Sequence, residues 1–350
     1  MQASTLNLGK VRGMRRLANN TGHFTTVALD QRPLIAQILA ARRGITPEQV
    51  CFDDMMAAKR LIVEILGSSA SAMLFDPNYA LPAAIACLPA HTGLMVALED
   101  HRFKDTPGGR LSKSISNWSV EKIKRVGGDG VKVLVWYRPD AAPEVLAHQE
   151  AYVRQVGYDC RRYDIAYVLE LLTYPFMQPN GAPCQLLAED KAQLVIGSLR
   201  EFTKPEYGVD LFKLESPFPG EHLPTDDGSA QHQAVRNWFN EIGQICHKSG
   251  VPWVMLSAGV THDQFLRVMQ YAYAAGANGF LAGRAIWSEA LKCFPDLQAC
   301  REELRIKGME NLRRLTELTR EEGQAWTPCY KDLGRIRVEG DLCDAYASIS

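Results

Sequence analysis

The chain of 350 residues lacks several features that define particular classes of protein. It has no run of about 18 consecutive apolar residues, which argues against a transmembrane helix. Lys and Arg number 39 against 40 Asp and Glu, so there is no basic excess with which to bind nucleic acid. Gly and Pro number 27 and 18, too few for a collagen-like or low-complexity chain. We expect a globular protein with neither a membrane nor a nucleic acid as partner.

Cysteine and histidine are present but not in metal-binding or disulfide patterns. The nine cysteines form no Cys-x-x-Cys pair, and an odd number in a large chain indicates reduced thiols and a cytoplasmic location. The basic residues before Asp30 superficially resemble a transit peptide, but a helix that closes the bottom of a domain is the preferred interpretation. The eight histidines never occur at i, i+3 or i, i+4 spacing, so neither a metal nor a cofactor is predicted.

What the chain does contain is a series of short apolar runs, each ending in a polar or small residue and followed by a helical pattern. Eight strands are predicted, at 24–30, 72–76, 94–99, 130–136, 166–172, 210–214, 252–257 and 278–283. Helical patterns cover 47–66, 119–126, 143–157, 186–202, 230–249 and 262–275. Strand then helix, eight times, predicts an α/β fold of the (β/α)8 TIM-barrel type. An open doubly wound sheet is the alternative, but residues 28–32 lack its Gly-x-Gly-x-x-Gly turn.

The C-terminal part is expected to add a helical extension to the barrel. Residues 295–322 read as one long charged helix whose spaced leucines pack on the outside of the barrel, or equally form the interface of a homo-oligomer. Residues 1–325 are assigned to a single barrel domain, and 326–350 to a tail. The Pro- and Gly-containing stretch 216–228 follows the sixth strand, and such a loop is expected over a barrel's active site.

Charged residues occur at positions that should face the barrel interior, which Val, Ile and Leu normally fill. Alternation along the strands turns Lys132, Glu170 and Lys213 inward, and Asp30 and Glu99 at strand ends can join them. Burying such groups costs several kcal/mol each unless they are paired, so a purely structural ion-pair cluster is one interpretation.

The other interpretation of the same cluster is imine chemistry. A lysine held near a second ammonium and away from water is pushed toward the neutral amine that attacks a carbonyl. The protonated imine accepts the electron pair of a breaking carbon–carbon bond, and a nearby carboxylate carries the protons. The two inward lysines supply the amine and Glu170 is placed as the proton carrier. This is the chemistry of a class I aldolase.

A phosphate site is predicted independently at the ends of the seventh and eighth strands. Barrels often bind phosphate there through backbone N–H groups. The seventh strand runs into Ser257, Ala258 and Gly259, and the eighth into Gly283 and Arg284. Small residues let the backbone approach an anion, and an arginine can hold it bidentately.

Several stretches resemble one known family, the class I tagatose-1,6-bisphosphate aldolases of the LacD type, which are Schiff-base barrels. The likeness spans about residues 24–290. The stretches that carry it are Asp30-Gln31-Arg32, residues 73–77 and 81–84, Asn117-Trp118-Ser119-Val120, Leu169-Glu170-Leu171, residues 209–215 and 256–260, and Gly283-Arg284-Ala285.

The resemblance implies a substrate and a role for each of ten residues. The substrate is D-tagatose 1,6-bisphosphate, cleaved to dihydroxyacetone phosphate and glyceraldehyde 3-phosphate. The residues are Lys213 as the imine lysine, Glu170 as the proton shuttle, Asp30, Gln31, Glu99 and Lys132 around the substrate hydroxyls and carbonyl, and Ser257, Gly259, Gly283 and Arg284 at a phosphate.

Two alternatives to this function stay open. Residues 134–138, 254–260 and 280–288 are at least as similar to the sulfofructose-phosphate aldolases, which yield dihydroxyacetone phosphate and sulfolactaldehyde and carry a sulfonate in place of the second phosphate. Arg32, Arg110 and Arg138 are candidates for that second anion, although each is interpreted as an ordinary surface arginine. The alternative of another class is a non-catalytic sugar-phosphate sensor, which has no need to keep Lys213 and Glu170 inward.

Overall fold

The structure, a computed structural model, describes residues 7–178, 182–184, 186–225 and 228–330. Its strands are β1 Phe24–Leu29, β2 Ala72–Phe75, β3 Gly93–Ala97, β4 Lys104–Thr106, β5 Gly109–Leu111, β6 Gly130–Trp136, β7 Ala166–Leu172, β8 Leu211–Leu214, β9 Trp253–Met255 and β10 Gly279–Ala282. Within these ranges, eight parallel strands close into a barrel in the order β1-β2-β3-β6-β7-β8-β9-β10. The predicted TIM barrel is therefore confirmed, and the doubly wound sheet is excluded.

Helices alternate with the barrel strands and surround them. They are α1 Leu8–Leu17, α2 Pro33–Arg43, α3 Phe52–Leu66, α4 Ala80–Ala84, α5 Val120–Arg125, α6 Pro143–Arg162, α7 Ala188–Phe202, α8 Ala230–Ser249, α9 His262–Ala274, α10 Arg284–Trp287, α11 Leu297–Glu303 and α12 Met309–Glu322.

Local sequence signals account for several of these boundaries. Thr261 and Gln264 form a capping box at the start of α9, in which Gln264 Oε1 accepts from the Thr261 backbone N–H at 2.9 Å. Pro143 occupies the first turn of α6, where its missing N–H costs nothing. Gly250 ends α8 with φ +72°, a conformation that glycine adopts without strain.

Three predicted helices differ from the structure, and one of them, predicted over 143–157, extends to Arg162. The helix predicted over 47–66 begins only at Phe52, after a short 3-10 turn at Pro47–Gln49. The long helix predicted over 295–322 consists of α11, a π-helical segment Leu304–Gly308, and α12. A π-bulge inserts one extra residue into a turn of an α-helix. The spacing of hydrophobic residues alone does not reveal such an insertion.

The apolar residues form two cores on either side of the barrel wall. Alternate strand residues such as Val131, Val133 and Val135 pack outward against the helices. The alternate set, which includes Val168 and Val254, fills the lower barrel interior. This division confirms the predicted facing of the strands and leaves only their C-terminal ends for polar side chains.

The N-terminal helix and the residues after α12 close the bottom of the barrel. The Lys10 ammonium on α1 donates to Asp210 at 2.7 Å, and the Tyr330 hydroxyl donates to the Asp210 carbonyl at 2.9 Å. Trp326 lies with its ring 6.2 Å from that of Phe24. The predicted division of the chain at residue 326 stays a prediction, and residues 331–350 of the predicted tail lie outside the described residues.

The loop expected over the active site lies elsewhere. In the described part, 216–225, Phe218 stacks on Trp238 of α8, and Pro224 accepts a hydrogen bond from Tyr271 of α9. An antiparallel hairpin of β4 and β5, which the strand pattern did not predict, lies beside the mouth, and its flanking residues Phe103 and Ser112 line the cavity. Three-residue polar strands carry no hydrophobic signal.

The apolar face of the C-terminal helices is used within the chain. Leu304, Leu312 and Leu315 are buried, and α12 packs against α3, α9 and β1. A homo-oligomer therefore stays a prediction that these leucines do not support. No helix in the described part of the chain is long and apolar enough to cross a membrane.

Candidate active site

A cavity of about 450 Å³ opens at the C-terminal ends of the barrel strands. Nine of the ten predicted site residues line it, and the tenth, Gly259, contacts the lining residue Arg284. The nine are Asp30, Gln31, Glu99, Lys132, Glu170, Lys213, Ser257, Gly283 and Arg284.

The centre of the cavity is organised around the ammonium of Lys132. This Nζ atom lies 2.7 Å from Asp30 Oδ2, 2.6 Å from Glu99 Oε1 and 2.7 Å from Glu170 Oε2. The Lys132 side chain is 1% exposed. Three carboxylates from three different strands or strand ends thus share one buried cation.

The second lysine contacts the same cluster through Glu170. Lys213 Nζ donates to Glu170 Oε2 at 2.9 Å, and both side chains are buried. The two residues are direct neighbours in the β7–β8 register. Glu170 Oε2 is therefore within proton-transfer distance of both ammonium groups.

The environment separates the pKa values of two of the carboxyl groups. Burial opposes ionisation of Asp30, but Lys132 and Lys213 outweigh it and hold the pKa of Asp30 well below its ordinary value. Burial raises the pKa of Glu99, and Asp30 adds to that rise although Lys132 opposes it. Burial disfavours the charged form of Lys132, yet Asp30, Glu170 and Glu99 raise the pKa of Lys132 well above its ordinary value. Of these two carboxyl groups, Asp30 is thus the more strongly ionised, and Glu99 holds a proton more readily.

At one end of the cavity, the loops after β9 and β10 meet. Ala258 and Gly259 both have positive φ, 47° and 91°, so the chain turns tightly after Ser257. A Cβ at Gly259 would lie 2.5 Å from an Nη atom of Arg284, so only glycine lets the guanidinium approach this backbone. Small residues and one arginine at this position fit the predicted anion site.

Three acceptor oxygens around the cavity have no hydrogen-bond partner among the described residues. They are Asp30 Oδ1, Gln31 Oε1 and Glu99 Oε2, all buried acceptors. Buried acceptors without donors cost free energy, so these atoms fit the hydroxyl groups of a polyol ligand.

The prediction that Arg32 and Arg138 are ordinary surface residues is wrong. Each is 6% exposed, and Arg32 lines the cavity. Arg138 is occupied by Asp140 and by the Tyr174 carbonyl, at 2.6 Å. Arg110 lies on the hairpin, with its guanidinium 4.2 to 4.8 Å from the ring centres of Phe103, Trp136 and Tyr174. The isolated charge of an arginine in a sequence does not reveal the aromatic rings or carbonyls that bury it.

Several cavity residues were not identified from the sequence. Phe103 and Ser112 reach the cavity from the unpredicted hairpin region, and Glu215 lies two residues after Lys213 on the same strand face. Glu215 accepts from the Thr173 backbone N–H at 2.6 Å and pairs with Lys191 at 3.3 Å. Alternation from Lys213 was the signal that could have identified it.

Comparisons with known proteins agree with this architecture. The family model of the DeoC/LacD family aldolases matches residues 24–289. The chain is 33% identical over 343 residues to a tagatose 1,6-diphosphate aldolase of Listeria monocytogenes serovar 1/2a, covering 94% of this chain and 97% of that protein. It is 31% identical over 330 residues to the enzyme of the same name from Staphylococcus aureus, covering 91% and 97%. The chain belongs to the DeoC/LacD aldolase family.

Solved structures agree on the fold. A fructose-bisphosphate aldolase from Plasmodium falciparum is 12% identical with a TM-score of 0.64, covering 93% of this chain and 99% of that one. A Schiff-base-forming fructose-1,6-bisphosphate aldolase is 17% identical with a TM-score of 0.54, covering 88% and 99%. With the family established, the protein is an aldolase, a lyase, and the alternative of a non-catalytic sensor is set aside.

Replacing Lys132 with Met should make stability strongly pH-dependent. Without the shared cation, burial and mutual repulsion raise the pKa values of Asp30 and Glu99, so ionising them in the folded state becomes unfavourable. The loss of unfolding free energy should be about 3–5 kcal/mol near pH 8 and shrink as the pH falls toward 5, where these groups take up protons. Thermal unfolding followed by circular dichroism across this range measures it.

The control is Lys292→Met, which removes a cation that is 61% exposed and should change stability by no more than about 0.5 kcal/mol at any pH. A Lys132→Met deficit of equal size at every pH would contradict the shared-cation interpretation.

Proposed function

We propose that the protein is an imine-forming, class I aldolase that cleaves a ketohexose bisphosphate, with Lys213 as the amine. The observation that carries this proposal is the contact between Lys213 Nζ and Glu170 Oε2, 2.9 Å long, in the buried centre of the cavity. An amine nucleophile beside a carboxylate that can take and return its proton is what carbinolamine and imine formation require.

The reaction then proceeds through a carbinolamine, an imine and an enamine, with Glu170 as the proton carrier of the first step. The Lys213 amine attacks the ketone carbon, and Glu170 protonates the carbinolamine oxygen, which leaves as water. The protonated imine draws in the electrons of the bond between C3 and C4 as a carboxylate removes the C4 hydroxyl proton, which releases the aldehyde and leaves an enamine. Protonation of the enamine at C3 and addition of water release the second product and the free amine.

The phosphate nearest the ketone is assigned to Ser257, Gly259, Gly283 and Arg284. Strand β9, which leads into Ser257, is paired directly with β8, which carries Lys213. A phosphate bound there lies close to the carbon that Lys213 attacks. Lys132, Asp30, Gln31 and Glu99 are assigned to the carbonyl and hydroxyl groups, because three of them offer unpartnered acceptors and Lys132 supplies a cation.

The second anionic group is assigned to Arg32. Its Nη1 donates to Asn78 at 3.1 Å and its Nη2 to the Glu99 carbonyl at 3.1 Å, while its buried Nε has no partner within the described ranges. Donors therefore remain for an anion, and neither partner of Arg32 is a carboxylate, whereas the charge of Arg138 is already paired with Asp140. Arg32 also lines an adjoining cavity of about 720 Å³ that shares Asp100 and His101 with the first. The adjoining cavity gives the second phosphate end of a six-carbon bisphosphate room to bind.

D-Tagatose 1,6-bisphosphate is the proposed substrate, and dihydroxyacetone phosphate and glyceraldehyde 3-phosphate are the proposed products. Support comes from the two relatives that carry the name tagatose 1,6-diphosphate aldolase at 31% and 33% identity. A sulfofructose 1-phosphate carries a sulfonate at the Arg32 end and has the opposite configuration at C4, so it is the competing substrate to be measured alongside.

Reduction by sodium borohydride in the presence of dihydroxyacetone phosphate should attach the triose covalently to Lys213. Intact-mass and peptide-mass spectrometry, with a chelator present, locate the adduct. Lys213→Ala should abolish both the adduct and cleavage of the bisphosphate, because no other side chain is proposed to form the imine. An adduct on a different lysine would refute the assignment.

Glu170→Gln should keep the fold and phosphate binding but slow cleavage by roughly 10²–10⁴-fold, since the amide cannot carry the proton. Steady-state kinetics give kcat and KM separately. Glu206→Gln, at an exposed glutamate outside the barrel, is the matched control and should leave kcat unchanged. A near-normal kcat for Glu170→Gln would assign proton transfer to another carboxyl group.

Removing each arginine should affect different substrates. Arg284→Ala should raise KM roughly 10–100-fold for both a ketohexose 1,6-bisphosphate and a ketohexose 1-phosphate, by loss of a charge-assisted contact. Arg32→Ala should raise KM for the two substrates that carry a second anion, the bisphosphate and sulfofructose 1-phosphate, and leave KM for the ketohexose 1-phosphate unchanged. Kinetics with tagatose 1,6-bisphosphate, tagatose 1-phosphate and sulfofructose 1-phosphate decide the matter, and equal losses for all three with Arg32→Ala would move the second anion elsewhere.

A further inference from the structure

One buried cation lies just outside the cavity and takes no part in the proposed reaction. Lys59, on α3, is 0% exposed. Its ammonium donates to the Leu29 carbonyl at 2.7 Å, to the Gln31 carbonyl at 2.9 Å and to the carboxylate of Asp76. Three N–H donors meet three acceptors, so the group is fully satisfied and has no capacity left for a ligand.

The two carbonyls that it binds are those on either side of Asp30. Strand β1 ends at Leu29, so the following backbone no longer has the regular hydrogen bonds of the sheet. Lys59 supplies donors there from behind the barrel wall. The segment it holds carries Asp30, which contacts Lys132, and Gln31, whose Oε1 is one of the unpartnered acceptors.

The same ion pair extends to the ends of two further strands. Asp76, just after β2, accepts from the backbone N–H groups of Asn78 and Tyr79 at 2.9 and 2.8 Å. The Asn78 side chain accepts from Arg32, which also donates to the Glu99 carbonyl after β3. A continuous polar connection therefore runs behind the cavity from β1 to β3.

We propose that Lys59 is a positioning residue of the aldolase reaction, which holds the Leu29–Gln31 backbone so that Asp30 contacts Lys132 and Gln31 faces the substrate. The proposal depends on the proposed function of the cavity. Apolar residues often replace a buried ion pair with no loss of stability, so stability alone does not account for a fully buried lysine at this place. A positioning role does account for the buried lysine, because it fixes the backbone on either side of Asp30. Displacement of a site residue by about 1 Å costs up to roughly 10²-fold in rate.

The chain provides a matched control at the other end of the barrel. Lys10 and Asp210 form a second buried pair, with an Nζ to Oδ2 distance of 2.7 Å and both side chains 5% exposed. Asp210 also accepts from a backbone N–H, that of Tyr167 at 2.8 Å, just as Asp76 does from its own loop. Lys59→Met and Lys10→Met thus each remove one buried cation, one beside the cavity and one beneath it.

The experiment compares the two variants in denaturant unfolding, steady-state kinetics and borohydride trapping. Both should lose stability, but only Lys59→Met should lose kcat, by roughly 10–100-fold. Dihydroxyacetone phosphate should still be trapped on Lys213 in both, because Lys213 and Glu170 are untouched. Lys59→Gln, whose amide can still donate to both carbonyls, should recover part of the lost kcat.

The pH dependence of kcat distinguishes a role of Lys59 in positioning Asp30 from a role in stability alone. Asp30 faces the cations Lys132, Lys213 and Lys59 and the Glu99 carboxyl. If Asp30 moves off Lys132, its pKa rises, so kcat of Lys59→Met should begin to fall at a higher pH than in the wild type as the solution is acidified. The Lys10→Met profile should match the wild type.

Each result is decisive. A Lys59→Met enzyme whose kcat and pH profile match those of Lys10→Met overturns the positioning role. Should Lys59→Met not fold, Asp76→Asn, which removes the carboxylate partner of the Lys59 ammonium, carries the same comparison, and a wild-type rate and pH profile for it would overturn the role. Failure to trap dihydroxyacetone phosphate on wild-type Lys213 would refute the imine mechanism instead, so the two failures are distinguishable.

Discussion

The mouth of the barrel depends on one ammonium group shared by three carboxylates. Asp30, Glu99 and Glu170 come from different parts of the barrel, and each approaches Lys132 Nζ within 2.7 Å. In a site this dry, three neighbouring carboxylates without a cation would repel one another and take up protons. The cation therefore determines where three strand ends lie, how Glu170 meets Lys213, and which of the carboxyl groups stays ionised.

This arrangement is possible because the rest of the barrel is apolar. The lower interior is filled by residues such as Val168 and Val254, and the outer face of the wall is packed against helices. Burial on both sides fixes the strand register, since a slip by one residue would exchange the two faces. The direct pairing of Glu170 with Lys213 in neighbouring strands follows from that register. The hydrophobic cores thus supply the rigidity that a proton-transfer site requires.

The parts of the molecule that follow from periodicity were predictable, and the parts that follow from tertiary contacts were not. Alternation along the strands predicts from the sequence alone that Lys132, Glu170 and Lys213 face inward. The hairpin at Lys104–Leu111 was not predicted, because its strands are short and polar. It is stabilised by the guanidinium of Arg110, which packs on aromatic rings. The burial of Arg32 depends on Asn78 and on a carbonyl after β3, which no local pattern encodes. The burial of Lys59 was not predictable for a similar reason, since two of its acceptors are backbone carbonyls of another part of the chain.

The unequal number of acids and bases at the centre has a consequence for selectivity. Asp30, Glu99 and Glu170 outnumber Lys132 and Lys213, so the middle of the cavity carries surplus acid while arginines stand toward its ends. Such a charge profile matches a molecule that is anionic at its two ends and neutral along its middle. A phosphorylated keto acid, with a carboxylate beside its ketone, would bring a fourth acid into the cluster and be repelled. The surplus of carboxyl groups over the two lysines would thus also favour sugar phosphates over sugar acids.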